Sequence, residues 1–592
     1  MNRLKVYFSS LDKNNITYET IYAGAFGYDK KGNIFYITNL KDVKASSSFN
    51  DPTYWNDDVS YTISRSHKFT LSKPSIRISI PLVKLKISHI NQRVAATDFI
   101  LRHFNEYILE LNEEIKNPKR TDKENGKFYS YFPTNKVIER NMCYITGNNI
   151  TEFFLNINIM VQLPEKNHKK AMQMVCIRLP DAVNRFLENF DYAKYNVAIE
   201  LYNKQMCIRK WLATSDYCTF IANDSILPRK GNSLLPDKNA IPFISPKENE
   251  IEILGIKGMG IKKGVTVITG GGYSGKTTVL DAISSGIYNH VYGDGRELVI
   301  TDNSAMEITA EDGRSIKNVN LSPFIKWISN GNTQNFSTEH ASGSTSQAAN
   351  IMEAINYGVK LLLIDEDKSA TNFMIRDKMM KAMINKEPLT PFTERVRQLF
   401  TEIGVSTIVV IGGSGEYLAV ADTVLMMDEY IIYNATKKSI EICNQFNQSP
   451  PIAEDTGKVN WCFNRKIKCE GFSPYPKNDN NLPSGTEKLE ISNKGFITIG
   501  DEEINVMMLH NIISTAQLNA IGYMLRYLEI SNKNQIINIQ ERVDELYKKI
   551  KSDGLDCVYS TFFGCGHWLE LPRKYELLAT INRMRYLEWT HE

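Results

Sequence analysis

Residues 264–278 read Gly264-Val265-Thr266-Val267-Ile268-Thr269-Gly270-Gly271-Gly272-Tyr273-Ser274-Gly275-Lys276-Thr277-Thr278. The β-branched run up to Thr269 suits a buried strand, and Val279-Leu280-Asp281-Ala282-Ile283 beyond the stretch suits a helix. Between them Gly270, Gly275, Lys276 and Thr277 satisfy G-x-x-x-x-G-K-[ST], the pattern of a phosphate-cradling loop. The chemistry needs these residue types. Glycines let backbone amides turn inward and approach phosphate oxygens closely, and the helix that follows adds its positive end. Lys276 can reach the β- and γ-phosphates, and Thr277 can offer a hydroxyl to Mg²⁺. Gly271, Gly272, Tyr273, Ser274 and Thr278 complete the expected nucleotide-binding stretch, with ATP and Mg²⁺ as its ligands. A purely structural glycine turn would leave the strand, lysine and helix start as coincidence.

A second stretch, Leu361-Leu362-Leu363-Ile364-Asp365-Glu366, is an apolar strand that ends in two carboxylates. Such a strand carries Asp365 to the sheet edge beside the phosphate loop, where it can hold Mg²⁺ directly or through water. Glu366 is then placed to act as general base on the attacking water.

Composition bounds the rest. With 592 residues the chain is long enough for two to four domains, and 42% apolar and 23% charged residues are ordinary for a globular protein. A net charge of +3 gives no global argument for nucleic acid. Nine scattered cysteines without a C-x-x-C pair suggest reduced thiols. The start has no apolar signal core, and no apolar run approaches membrane-spanning length. A cytoplasmic protein is expected, with no membrane partner.

Along the chain, residues 1–240 read as an α+β accessory domain, with strands near 75–80, 157–161 and 217–222 and helices near 93–115 and 182–190. Its basic cluster 166–170 suits a solvated loop, and Arg229 and Lys230 are candidates for reaching bound nucleotide or nucleic acid. Residues 241–440 alternate strands (264–269, 297–301, 360–364, 406–411, 423–427) with helices (345–357, 372–384, 391–403), as in a nucleotide-binding α/β core. Residues 441–486, rich in Pro, Asn and Ser, read as a linker or arm. Residues 487–592 read as a mainly helical domain, with helices near 505–528, 538–552 and 573–589. Cys557, Cys565 and His567 form at most a weak metal candidate, lacking a fourth ligand.

Upstream of the acidic strand, Ala341-Ser342-Gly343-Ser344-Thr345-Ser346-Gln347 opens a helical run. This turn resembles the L-S-G-G-Q signature of ABC-class ATPases, and 23 residues separate Ser342 from Asp365. Ser369-Ala370-Thr371-Asn372 stands where that class has its S-A-L-D loop, Ser369, Ala370 and Asn372 being the matching positions. The class places a switch histidine after the next strand. Here Val409-Val410-Ile411-Gly412-Gly413-Ser414-Gly415-Glu416 has none, and Gly413 or Ser414 takes its place. The leading Leu and the Gln of the signature are Ala341 and Thr345, no glutamine loop is clear (Gln334 is the nearest candidate), and the span from Thr277 to Ser342 is short for the usual helical subdomain.

These features, with Tyr288-Asn289-His290, Gly293-Asp294-Gly295-Arg296-Glu297, Glu311-Asp312-Gly313-Arg314-Ser315 and Ile581-Asn582-Arg583, resemble the family called predicted ATPase of the ABC class. The resemblance covers most of the chain beyond about residue 75. It implies an α/β P-loop NTPase core of ABC-ATPase type, flanked by an α+β N-terminal and a mainly helical C-terminal domain. It further implies a homodimer in which Ser342, Gly343 and Ser344 complete the partner's site in trans. One family member is associated with RNA editing, which makes RNA the expected client. The expected activity is ATP hydrolysis, with a nucleotide-gated binding protein of negligible turnover as the alternative. An ATP-driving transporter subunit is disfavoured for want of a coupling surface. Phe243 is a candidate for the adenine contact.

Overall fold

Every residue of Leu361–Asp365 is buried, as the apolar run predicts for a strand covered on both faces. It lies second in a six-stranded sheet whose order is Met306–Ile308, Leu361–Asp365, Ser406–Val410, Val265–Gly270, Thr423–Asp428, Ile431–Asn434. The first five strands are mutually parallel and the last is antiparallel. Helices Lys276–Ser285, Gly343–Asn356 and Phe392–Ile403 carry buried residues against this unit's core. The chain is described by a computed structural model over residues 26–28, 34–36, 53–64, 74–87, 92–147, 153–164, 167–329, 331–377, 379, 383, 384, 386–453, 459–468, 472, 473, 475, 487–492, 495–531, 535–559 and 568–590.

The sequence places a strand at 297–301 among those of the nucleotide core. Val299–Thr301 instead pairs antiparallel with Tyr217–Ala222, in a separate four-stranded sheet with Ile256–Lys262 and Glu250–Ile253. The strand beside Leu361–Asp365 is Met306–Ile308, too short to announce itself by periodicity. Tyr217–Ala222, read as part of the accessory domain, belongs to this second sheet. The physical reason is pairing: a lone antiparallel strand finds its partners far along the chain.

Two compact units result. One comprises residues 1–134, 138–199 and 552–571, and the other 135–137, 200–551 and 572–592. In the first, Ser75–Pro81 and Phe154–Gln162 form the centre of an antiparallel sheet with Thr53–Asn56, Val59–Ser64, Lys127–Tyr129 and Cys143–Thr146. Helices Arg93–Ile115 and Leu179–Glu188 line its core, the latter with proline in its first turn. Arg140, almost fully buried, ion-pairs with Asp98 and with Glu570 at 2.6 Å, so residues 552–571 return to this unit. Of the basic cluster, Lys166 lies outside the described residues, and Lys170 donates to Asn125 at 3.0 Å.

Residues 487–551 are less helical than expected. Leu489–Ser492, Phe496–Ile499 and Glu502–Asn505 form an antiparallel meander before helices Thr515–Ser531 and Ile539–Asp553. The last helix is Lys574–Ile581, shorter than the span 573–589, and Trp589–Thr590 is a strand paired with Lys466–Lys468 from the expected arm. In the span 372–384, expected to be one helix, the helix Thr371–Met374 is followed by non-helical residues 375–377, residues 379 and 383 are again helical, and 378 and 380–382 lie outside the described residues. Cys565 and His567 lie outside the described residues. Among the described residues no helix is long and apolar enough to cross a membrane.

Candidate nucleotide site

The phosphate loop bridges Val265–Gly270 and helix Lys276–Ser285, with Gly275 capping the helix at φ 99°. Gly270 has φ 145°, and a Cβ there would overlap the Met427 carbonyl, so only glycine fits. Gly271 and Gly272 open to solvent, with room for a ligand on their outer side. Ser274 Oγ donates to Gly271 O at 2.8 Å. Lys276 Nζ donates to Gly270 O at 2.9 Å and to Gly271 O at 2.7 Å, folding its ammonium across the loop. Thr277 lies exposed in the first helical turn, and Thr278 follows it half-buried. Tyr273 holds φ 58° with its side chain 99% exposed.

The sheet order explains how the acidic pair meets its partners. Ser406–Val410 lies between the acidic strand and the phosphate-loop strand, so the turn that follows it passes over the end of Leu361–Asp365. There Glu366 Oε2 accepts from the amides of Gly412 (2.6 Å) and Gly413 (3.2 Å), while the Ser414 hydroxyl donates to Oε1. Burial pushes the Glu366 carboxyl up, but the Ser414 hydroxyl and the amides of 412–414 outweigh it and hold the pKa below the usual range. Asp365 is 3% exposed, and burial pushes its carboxyl up. Its side chain accepts from the Asp367 amide at 3.1 Å.

Ser342 caps helix Gly343–Asn356, its hydroxyl 3.0 Å from that of Thr345. A Cβ on Gly343 would stand 3.1 Å from Asp312 Oδ1 and 3.6 Å from the Ala370 Cβ. Ser344 is half-buried in the first helical turn. Among the described residues no hydrogen bond joins Ser342, Gly343 or Ser344 to the phosphate loop of the same chain. Ser369 Oγ donates to Asp365 O at 2.8 Å, and Asn372 sits in the short helix beyond.

The sequence reading missed Gln347. Fully buried, it donates to Ser369 Oγ at 2.9 Å and accepts from the Ala370 amide at 2.8 Å, joining the signature helix to the loop after the acidic pair. It also missed the buried ion network under that helix. Arg314 pairs with Glu353 and Asn350, and Arg583 pairs with Glu311, whose carboxyl the two arginines hold down against burial. For Arg314, Glu311 and Arg583 the only signal was membership of motifs that carry the family resemblance, with no chemistry of their own at the loop.

Two candidates are redirected. Arg229 is held by Asp294 at 2.9 Å rather than reaching toward the loop. Asp294 in turn accepts from His290, whose Nε2 faces Lys136 Nζ at 2.6 Å, all three nearly or fully buried. Phe243 is 7% exposed, its backbone bonded to Asp224 and Ser225, which removes it as an open stacking surface. Gln334 is exposed in a turn.

Thr277 and Asp365 suit Mg²⁺, a hard cation that is usually held by one or two oxygen ligands of the protein together with phosphate and water. Among the described residues no group of three or more His, Cys, Asp or Glu side chains is set to hold a metal by itself.

Strand, loop, lysine and acidic pair on a mainly parallel sheet define a P-loop nucleotide-binding core. Residues 191–460 match the P-loop domain of the ABC_ATPase family, and residues 488–590 match the MRB1590 C-terminal domain. Residues 191–460 are thus similar to the P-loop domain of ABC-class ATPases. It is 34% identical over 233 residues to the uncharacterized protein MJ1628 of Methanocaldococcus jannaschii, covering 36% of this chain and 50% of that protein. The chain thus spans about half the length of that relative. A solved structure of cbiO1 from Clostridium perfringens, part of the ABC transporter complex cbiONQ, aligns with 39% of this chain and 95% of its own at 15% identity and a TM-score of 0.25.

Proposed function

We propose that this chain hydrolyses Mg-ATP in a homodimer that closes on nucleotide and opens after turnover. The observation that carries the reading is the Glu366 carboxylate, held by Gly412, Gly413 and Ser414 in the turn after the strand that pairs with both the acidic strand and the phosphate-loop strand. Lys276 leaves its loop carbonyls to meet the β- and γ-phosphates, and the amides of 270–278 hold the phosphate chain. Bound through Thr277 and Asp365, Mg²⁺ would neutralise charge between the β- and γ-phosphates. Glu366 takes the proton of the attacking water as the water oxygen bonds to the γ-phosphorus, and the bond to the β-γ bridging oxygen breaks to release ADP. Ser414 cannot take a proton as imidazole can, so its role is to hold Glu366 rather than to relay the proton. Ser342, Gly343 and Ser344 would reach the γ-phosphate held by the second copy, with Ser369, Ala370 and Asn372 at the joint.

The decisive experiment pairs Glu366→Gln with light scattering. With ATP the variant should accumulate as a dimer and release no phosphate; a monomer under those conditions would count against the sandwich. A second reading, a nucleotide-gated binding protein, is favoured by the three donors that already engage Glu366. Phosphate release no faster than that of Lys276→Ala would support it. RNA, the client suggested by the family resemblance, is tested at the scale of the whole molecule below.

A further inference from the structure

The glycine amides and the lysine of the phosphate loop serve phosphates rather than a base. The structure points to Tyr430 as the surface on which the nucleobase stacks, an inference that rests on the ATP-site reading of residues 270–278. Strand Thr423–Asp428 runs parallel to the phosphate-loop strand, with Met427 opposite Gly270, so the turn leaving it emerges at the loop. That turn, Glu429-Tyr430, leads antiparallel into Ile431–Asn434. Both of its residues are left-handed, φ 44° and 67°, a conformation that glycine holds without strain.

The ring is thereby set against the loop. A Cβ on Gly275 would stand 3.3 Å from Tyr430 Cδ1 and 3.3 Å from Met427 Cε, so the ring's inner edge borders the last glycine of the cradle. Tyr430 nevertheless remains 62% exposed. Sugar and base must project from the loop once the phosphates fill it, and an open aromatic ring rooted there is a stacking surface for a flat heterocycle. The buried Phe243 cannot serve that purpose. Tyr273, also exposed, lies in the loop itself and does not border Gly275 as Tyr430 does.

The test titrates the full chain calorimetrically with two probes, Mg-ATP and Mg-tripolyphosphate, the latter lacking sugar and base. Tyr430→Ala should weaken Mg-ATP binding about tenfold or more and leave Mg-tripolyphosphate unchanged, and Tyr430→Phe should retain wild-type affinity for both. Tyr430→Gly, free of backbone strain, should behave as Tyr430→Ala does. Unchanged ATP affinity in Tyr430→Ala overturns the inference, and so does equal weakening of both probes, which would make the ring a mere support for the loop. If the wild-type chain binds neither probe, the ATP-site reading itself falls and takes this one with it.

Discussion

Ser414 shows how one side chain can be read in two ways until its neighbours are known. In the sequence it is a residue standing where a histidine is expected. In the structure it is one of three donors that fix Glu366. Removing its hydroxyl leaves the carboxylate with two amides, and a charge-assisted hydrogen bond contributes about 1.5–3 kcal/mol. Ser414→Ala should therefore lower kcat about tenfold or more while leaving ATP affinity near wild type. The pH profile supplies the sign. The environment depresses the Glu366 pKa, so the ionised base persists to lower pH than an ordinary glutamate would. Loss of Ser414 should move the acid limb of kcat upward. A limb that stays in place would detach Glu366 from the proton transfer.

A second residue-scale prediction concerns stability. His290 is fully buried, and desolvation together with the Lys136 ammonium pushes its pKa down to about 3, against the pull of Asp294. Burial also lowers Lys136 well below its usual range, while His290 and Arg229 hold Asp294 down against burial. In the unfolded chain an ordinary histidine protonates near pH 6.5, and there the unfolded state binds the extra proton. Stability should accordingly fall as pH drops from about 6.5 toward 3, by at most about 1.4 kcal/mol per pH unit from this group. Asp294 adds loss in the same direction below about pH 4, because its depressed pKa protects the folded state only while it stays ionised. Urea melts of His290→Gln and wild type across that range check the slope, which should be shallower in the variant.

At the scale of elements, the joint between helix Gly343–Asn356 and the loop after Asp365 depends on Gln347. Its fully buried amide satisfies a half-buried hydroxyl and a half-buried backbone N–H. Gln347→Leu strands the Ala370 donor and removes one partner of the Ser369 hydroxyl, each loss at these half-buried groups costing about 1–2 kcal/mol. A drop of about 2–4 kcal/mol in unfolding free energy is expected, together with reduced turnover, because Ser369 also bonds the Asp365 carbonyl. Retained stability with unchanged turnover would remove Gln347 from the joint. The phosphate-loop strand, the acidic strand, Ser406–Val410, Thr423–Asp428 and helix Phe392–Ile403 were legible in the sequence to within a residue or two. Each is a run rich in β-branched and apolar residues or a strong 3.6-residue pattern. The role of Val299–Thr301 was not legible, because three buried residues carry no period and their partner Tyr217–Ala222 lies far upstream. The meander at 489–505 was missed for the same reason, since its strands are four residues each.

At the scale of the whole molecule, the signature turn lies apart from its own chain's phosphate loop in hydrogen bonding, and the proposed function requires a second copy. Mixing Lys276→Ala with Ser342→Arg chains should restore a single working site per mixed dimer, giving activity above either variant alone. No recovery would argue against completion in trans. For RNA, filter binding across a salt series should show a log–log slope of several units if the backbone is contacted. A flat or absent response would point to a client of another class.

The sequence by itself determined the phosphate loop, its lysine and the acidic pair. Their chemistry depends on residue types at short, fixed spacings, and a strand-loop-helix is specified locally. Only the tertiary structure decided what Glu366 touches, since Ser414 lies 48 residues away and meets it because a third strand inserts between the two motif strands. The same holds for Gln347, for Arg229 turned inward onto Asp294, and for Tyr430 brought to the edge of Gly275. Sheet order fixes which strand ends become neighbours, and that order is set by pairing across long stretches of chain rather than by any local pattern.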